Sequence, residues 1–228
     1  MSGKTVGAGR TIARFCVGFD ASRLTGAHVR TCGRAIADTV ACAIAGWNEP
    51  PAVRAIEYAF KLMNAGQGAL WGRSEHVGLE TSVLCNAIAA HALDYDDAST
   101  QMNGHPSVVL LPALLGLGAA RGATGQHLAL AYLVGFEVAC ALGRSVATAH
   151  YARGWHLTST IGALASAVAC ARILNLDEDA TNHSIGLAFA QTAGSREFRD
   201  GRQAVSGRAC GFGRAPGGPA GRNRFYGG

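Results

Sequence analysis

The sequence predicts an all-α protein built from several long helices. From about residue 11 to residue 195, long segments rich in Ala, Leu and Val alternate with short breaks at Gly, Pro, Asn and Thr. No segment shows the sustained alternation of β-branched and polar residues that is typical of half-buried strands. Hydrophobic residues make up 49% of the 228 residues, which is enough for a substantial buried core.

Capping residues and apolar spacing place the helices in order. Ile36, Val40 and Ile44 recur at helical spacing and predict an apolar stripe on the first helix. Thr124 and Asp177 are suitable N-caps for two later helices, and a proline in the first turn suits another. A run rich in Ala and Gly predicts a helix packed closely against its neighbours. The predicted helices span residues 29–46, 80–95, 106–120, 125–149, 158–173 and 178–190.

The composition changes abruptly after residue 195. Residues 196–228 contain nine Gly, seven Arg and two Pro but no Leu, Ile or Met. Such a segment buries too little apolar surface to offset the entropy lost on ordering. We therefore expect a flexible N-terminus over residues 1–10, a helical domain over 11–198 and an Arg/Gly-rich tail over 199–228. The tail is either disordered or translated out of frame, because GC-rich DNA read in a wrong frame yields this composition.

The positive charge is concentrated in the tail. The formal net charge is +5, and residues 196–228 hold seven Arg against Glu197 and Asp200. The preceding residues carry 20 − 7 = 13 basic and 15 − 2 = 13 acidic side chains, so the body is neutral. A neutral body offers no extended basic surface for phosphates, and we expect no nucleic-acid partner. The alternative is a non-catalytic helical module whose basic tail binds RNA or a partner protein.

Other features predict a cytoplasmic protein. Seven cysteines are scattered through apolar stretches without a CxxC pair, which is typical of reduced core thiols. The N-terminus lacks the uninterrupted apolar region of a signal peptide. Apolar runs such as residues 128–134 fall well short of the ~20 residues that a membrane span needs. We therefore expect no membrane partner.

The densest polar cluster lies at the end of the second predicted helix. In a helix over residues 80–95, His91, Asp94 and Tyr95 share one face while Asp96 and Asp97 turn away. This periodicity predicts that Asp94 is the inner carboxylate. It also predicts that His91, Asp94, Asp96 and Asp97 do not all share one pocket. The structural alternatives are a hydrogen-bonded core histidine at His91 and solvated or capping roles for the two later aspartates.

Two further histidines lie beside predicted helix starts. His105 precedes the helix that begins with Pro106. His156 precedes the predicted helix over residues 158–173, where exposed N–H groups suit a carboxylate ligand. Histidines with an aspartate are a plausible acid/base set for proton transfer on a carboxylated substrate. The spacing also permits a metal site, although no HExxH motif is present. No GxSxG elbow, GxxxxGK loop or Rossmann fingerprint follows a strand, which argues against hydrolases and nucleotide-binding proteins.

Four ordered blocks identify the chain as similar to the N-terminal half of MmgE/PrpD proteins. The blocks are HALDYDDAS with GHPSVVLLPALLGLG, GATGQHLALAYLVGFEVACALGRSV, HYARGWHLTSTIGALASAVACARILNLD and SIGLAFAQTAGS. The resemblance implies a helical domain whose second, α+β domain is missing here, a homodimer in the full-length form, and no metal or organic cofactor. It also implies a lyase, most simply a hydro-lyase, that dehydrates 2-methylcitrate or decarboxylates cis-aconitate in the manner of 2-methylcitrate dehydratases or cis-aconitate decarboxylases.

The resemblance also assigns site residues. Asp94, His105 and His156 match the family's active-site aspartate and two histidines, and Arg153 and Thr158 are expected to bind substrate. A threonine that follows the DD pair in some members is replaced by Ala98, with Ser99 beside it as a further substrate-binding candidate. This departure bears on substrate identity. The DxDD sequence is also typical of terpenoid cyclases, but their pockets are aromatic and this chain is only 7% aromatic.

The resemblance also implies an active-site lysine, which family members carry in a segment resembling GTxxKPxxAGxAA just after the point where this chain becomes rich in Arg and Gly. Codons compatible with RDGRQAVSGRACGF, read one base later, can encode a segment of the type GTxGKPFQAGRAAS. We therefore expect a shifted frame near codons 196–205 to restore this lysine and a further domain. Without them, the 228-residue chain should be inactive or nearly so.

Overall fold

The computed structural model describes residues 7–62 and 66–195, together with the backbone of two short strands beyond them, and within this part the protein is all-α. The eight helices are α1 (Ala8–Gly18), α2 (Gly26–Gly46), α3 (Pro50–Lys61), α4 (Leu79–His91), α5 (Pro106–Arg121), α6 (Gly125–Ala152), α7 (Leu157–Ile173) and α8 (Glu178–Ala190). A 3₁₀ turn spans Ala21–Arg23. Two antiparallel pairs complete the described structure, β1 (Gly68–Ala69) with β2 (His76–Val77) and β3 (Phe198–Arg199) with β4 (Arg202–Gln203).

The predicted helix starts are confirmed by their caps. The Thr124 hydroxyl accepts a hydrogen bond from the His127 amide, and the Asp177 carboxylate accepts one from the Ala180 amide. Pro106 occupies the first turn of α5, where its missing N–H costs nothing. Helices α1 and α3 were not predicted, and α1 begins at Ala8, ahead of the expected start of the helical domain.

Helices α5, α6 and α7 form the centre of the core. Leu110, Leu111 and Leu114 of α5 are fully buried, and α6 and α7 make the most extensive helix–helix contact. A Cβ at Gly135 of α6 would lie 2.8 Å from the Ala169 Cβ of α7, so these two backbones approach closely only because the side chain is absent. The predicted close packing of the Ala- and Gly-rich helix is therefore confirmed.

The buried face of α2 differs from the predicted stripe. Ile44 is 51% exposed, and Ile36 and Val40 are only partly buried. The buried positions instead carry small side chains, namely Cys32, Ala35, Thr39, Cys42, Ala43 and Gly46. Small residues let α2 pack closely against its neighbours, as at Gly46, where a Cβ would overlap the Ala89 carbonyl of α4, so packing distance outweighs side-chain hydrophobicity in selecting the inner face.

The cysteines are free thiols, as expected, at the six positions that the structure describes. Burial raises the pKa of the Cys16, Cys32 and Cys85 thiols to about 11, so they remain protonated core side chains. Cys210 lies outside the described residues, as do most of the residues of the predicted tail.

Helix α6 is the one described helix that is long and apolar enough to cross a membrane by length and composition. It has 28 residues, and 56% of its most apolar window is buried within the fold. A core helix passes the same test, so the expected absence of a membrane partner stays a prediction.

Candidate functional site

The site is built on the loop between α4 and α5, which we call the 92–105 loop. Helix α4 ends at His91, four residues earlier than predicted, and Asp94 adopts a left-handed backbone conformation with φ 58°. A left-handed residue cannot continue a right-handed helix, so the chain turns sharply at this point. Ser99 and Gly104 then exchange backbone hydrogen bonds of 2.9 and 3.3 Å, which close the loop before His105.

The early end of α4 changes which aspartate is buried. The Asp96 side chain is completely buried, whereas the Asp94 side chain is 45% exposed and Tyr95 is 75% exposed. The prediction that Asp94 is the inner carboxylate was therefore wrong. It relied on helical spacing continuing to residue 95, and no Gly or Pro between His91 and Asp96 signals the turn.

Asp96 lies between two imidazole rings. The His91 Nδ1 atom donates to both Asp96 carboxylate oxygens, at 2.8 and 3.1 Å. The His105 Nδ1 atom lies 3.4 Å from Asp96 Oδ2 and 3.3 Å from the Asp96 carbonyl oxygen. The ring centroids of His91 and His105 are 4.8 Å apart. The helical prediction that Asp96 turns away from His91 and Asp94 was therefore wrong, because the loop brings these three residues together with His105.

Asp96 and His105 stabilise each other's charged forms. Burial acts to raise the pKa of Asp96, but hydrogen bonds from His105 and His91 outweigh it and hold this pKa below its usual range. The hydrogen bond to Asp96 raises the pKa of His105 despite burial, and the Asp96 and Asp94 charges add to that increase. The site therefore favours an imidazolium at His105 beside a carboxylate at Asp96.

His105 also faces Asp94 on its other side. Its Nε2 atom lies 3.5 Å from Asp94 Oδ1, so each ring nitrogen of His105 has a carboxylate nearby. The His105 side chain is 20% exposed and the Asp94 carboxylate is partly open to solvent. A proton donor and a proton acceptor are thus adjacent at an accessible position, which is the arrangement that acid/base chemistry requires.

A second set of hydrogen bonds attaches the loop to the core. The Ser107 amide donates to Asp97 Oδ1 at 3.1 Å, its hydroxyl donates to Asp97 Oδ2, and the Tyr132 hydroxyl lies 2.8 Å from Ser107 Oγ. Burial raises the pKa of Asp97 despite the Ser107 hydrogen bonds. Burial likewise raises the pKa of Tyr132. These partners position the loop, and the sequence offered no signal that they would meet.

The start of α7 adjoins His105. The Thr158 hydroxyl accepts a hydrogen bond from the His105 amide at 3.1 Å, which joins two predicted site residues 53 positions apart in the chain. His156 is the N-cap residue of α7, with its Nδ1 atom 3.1 Å from Ser159 Oγ and its amide donating to the Gly194 carbonyl. The positive end of α7 therefore lies beside the loop.

The remaining predicted residues occupy less direct positions. Arg153 is exposed at the C-cap of α6. The Ser99 hydroxyl accepts a hydrogen bond from the Met102 amide at 3.3 Å and lies 3.6 Å from Cys140 Sγ of α6. Its hydrogen bonds are therefore made to the protein itself. Substrate binding by these two residues stays a prediction.

A cleft of about 400 Å³ opens between α4, α5 and α7. Val108, Val109 and Pro112 of α5 contribute apolar surface to it. His91 and Thr158 also line it. An apolar cleft with a few polar groups is typical of small-molecule binding sites.

The cluster around Asp96 also has the composition of a cation site. His91, Asp94, Asp96 and His105 each offer a ligand atom, and these four atoms lie within 4.8 Å of one another. Imidazole and carboxylate ligands suit divalent transition metals, but an ion would have to displace the proton between His91 and Asp96. The predicted absence of a metal stays a prediction.

Comparison with known proteins identifies one family. A sequence model described as the MmgE/PrpD N-terminal domain matches residues 10–216, past the predicted end of the helical domain. The chain is 27% identical over 165 residues to the cis-aconitate decarboxylase of Aspergillus terreus, covering 70% of this chain and 34% of that protein. It is 27% identical over 179 residues to the cis-aconitate decarboxylase of Mus musculus, covering 76% and 36%. The chain thus spans about a third of the length of these curated relatives.

Proposed function

Since this chain belongs to the MmgE/PrpD family, we propose that it forms the helical part of a lyase that acts on a small polycarboxylate by acid/base catalysis. The observation that carries this proposal is the His105 imidazole, which has the buried Asp96 at one nitrogen and the accessible Asp94 at the other. The names of the relatives support a carboxylated substrate.

His105 and Asp94 carry the proposed proton transfers. In a dehydration, Asp94 removes the proton from the carbon next to a carboxylate, and His105 donates the Nε2 proton to the hydroxyl, which leaves as water. In a decarboxylation, carbon dioxide leaves, the electron pair remains on carbon, and His105 protonates that carbon. The raised pKa of His105 suits the donor role in both reactions, because it favours the protonated form of the imidazole. Asp96 holds the ring in position through Nδ1.

The start of α7 supplies the proposed carboxylate-binding surface. His156 and Thr158 lie in the cap and first turn of a 17-residue helix, where N–H groups without a partner inside the helix and the helix dipole favour an anion. Arg153 precedes this turn and provides a cation close by in the chain. Ser99 completes the proposed substrate-binding set.

The proposal includes a cytoplasmic homodimer that needs no metal or organic cofactor. Dehydration of a 2-methylcitrate-like acid and decarboxylation of a cis-aconitate-like acid share the same proton-transfer groups, so both substrates belong in the test. Ligand binding is the primary measurement.

The test compares ligand binding by matched histidine variants. Calorimetric titration of the purified chain with 2-methylcitrate and with cis-aconitate should detect binding of at least one acid. His105→Asn should weaken it at least about tenfold, since it removes the group with a carboxylate at each nitrogen. His127→Asn makes the same substitution at an exposed histidine and should leave binding unchanged.

Two results would contradict the proposal. One is that the wild-type chain binds neither acid, and the other is that His105→Asn binds as tightly as wild type. RNA binding that weakens steeply with salt and is lost on deleting residues 199–228 would instead favour the non-catalytic module with a basic tail.

A further inference from the structure

We propose that His91 is a specificity-determining residue that accepts a hydrogen bond from the hydroxyl group of a hydroxy-polycarboxylate. This inference rests on the proposed function, and it adds a residue outside the set of Asp94, His105 and His156. It also favours a hydroxyl-bearing substrate over an unsaturated one.

One ring nitrogen of His91 has no partner among the described residues. His91 is only 6% exposed, and its Nδ1 atom is occupied by Asp96. Its Nε2 atom is buried and has no hydrogen-bond partner among residues 7–62 and 66–195. Buried polar atoms are nearly always paired in folded proteins, so a buried nitrogen without a partner indicates a missing group.

The His91 ring lies at the wall of a cleft. His91 lines the cleft of about 400 Å³ between α4, α5 and α7. Thr158 and Ser159, from the first turn of α7, line the same cleft and supply further hydroxyl groups. The Thr158 hydroxyl also accepts the hydrogen bond from the His105 amide, so the cleft meets the proposed catalytic loop at this residue. A ligand held at the loop can therefore extend into the cleft toward His91.

The hydrogen bond at His91 Nδ1 determines which kind of group can pair with Nε2. The Asp96 carboxylate only accepts hydrogen bonds, so the proton of the neutral His91 ring resides on Nδ1 and Nε2 presents a lone pair. A lone pair at Nε2 requires a donor from the ligand. A hydroxyl group supplies one, whereas an ionised carboxylate does not.

The experiment uses two acids that differ by one hydroxyl group. Citrate carries the hydroxyl, and tricarballylate is the same tricarboxylate without it. We expect the wild-type chain to bind citrate at least about tenfold more tightly, because a site built to pair with a hydroxyl discriminates against the analogue that lacks it. His91→Asn places an amide N–H near the position of Nδ1 and keeps the Asp96 bond, but it has no equivalent of Nε2. This variant should reduce the preference to about twofold or less without changing the affinity for tricarballylate.

A second measurement does not depend on the variant. In ¹⁵N-histidine NMR spectra of the wild-type chain, the Nε2 resonance of His91 should shift on addition of citrate and stay in place with tricarballylate. A His91→Asn variant that keeps the wild-type preference, or an Nε2 resonance that citrate does not move, would overturn the inference. If the wild-type chain binds both acids equally, this inference alone fails. If it binds no polycarboxylate, the proposed function fails with it.

Discussion

Replacing Asp96 with asparagine removes the charge between two imidazole rings and preserves the size of the side chain. The amide oxygen can still accept from His91 Nδ1, but that bond becomes neutral, and the amide N–H₂ faces the Nδ1–H of His105. A hydrogen bond to a charged group contributes about 1.5–3 kcal/mol and a neutral one about 0.5–1.5, while a buried donor left unpaired costs about 1–3. We therefore expect Asp96→Asn to lower the free energy of unfolding by about 2–4 kcal/mol, a large fraction of the total for most domains.

Urea unfolding at two pH values measures this effect. The raised pKa of His105 stabilises the folded chain below the ordinary histidine pKa, and that contribution is lost as pH rises through the folded value. The loss caused by Asp96→Asn should therefore be larger at about pH 6 than at about pH 9. Asp94→Asn is the matched control, and its loss should stay below about 1 kcal/mol because Asp94 is partly exposed.

A loss below about 1 kcal/mol for Asp96→Asn, or the same loss at both pH values, would refute this account of the ion pair. It would mean that Asp96 is held by packing rather than by its imidazole partners.

Three further predictions test the framework around the loop. Gly143→Ala should destabilise the protein by about 1–3 kcal/mol, since the new Cβ would lie 2.5 Å from the Met102 Cα. Gly33→Ala, in open space on α2, should instead stabilise it by up to about 1 kcal/mol. Urea unfolding midpoints that shift in the same direction for both variants would disprove this. Ser107→Ala should lower the free energy of unfolding by about 1–3 kcal/mol, because Asp97 Oδ2 loses the hydrogen bond from the Ser107 hydroxyl. An unchanged melting temperature would contradict this prediction. EDTA and added Zn²⁺ should both leave the melting temperature unchanged, whereas a rise with Zn²⁺ would place a cation in the cluster of four ligands.

Residues near one another in sequence made much of the fold predictable. The caps at Thr124 and Asp177 act within three residues of themselves, so their effect is visible in the sequence. The end of α4 was not predictable in this way. It depends on the left-handed conformation of Asp94 and on a loop that packs against α7, and the neighbouring residues in the sequence indicate neither feature.

The sequence by itself determined the helical class, most helix starts and the segments that hold the chemistry, because helix periodicity and capping are short-range effects. Only the tertiary structure decided that Asp96 rather than Asp94 is buried, that small residues form the inner face of α2, and that His91 faces a cleft. Each of these outcomes depends on contacts between segments that are far apart in the chain, such as the hydrogen bond from the His105 amide to the Thr158 hydroxyl. Contacts of that kind arise from packing, which no local pattern of residues encodes.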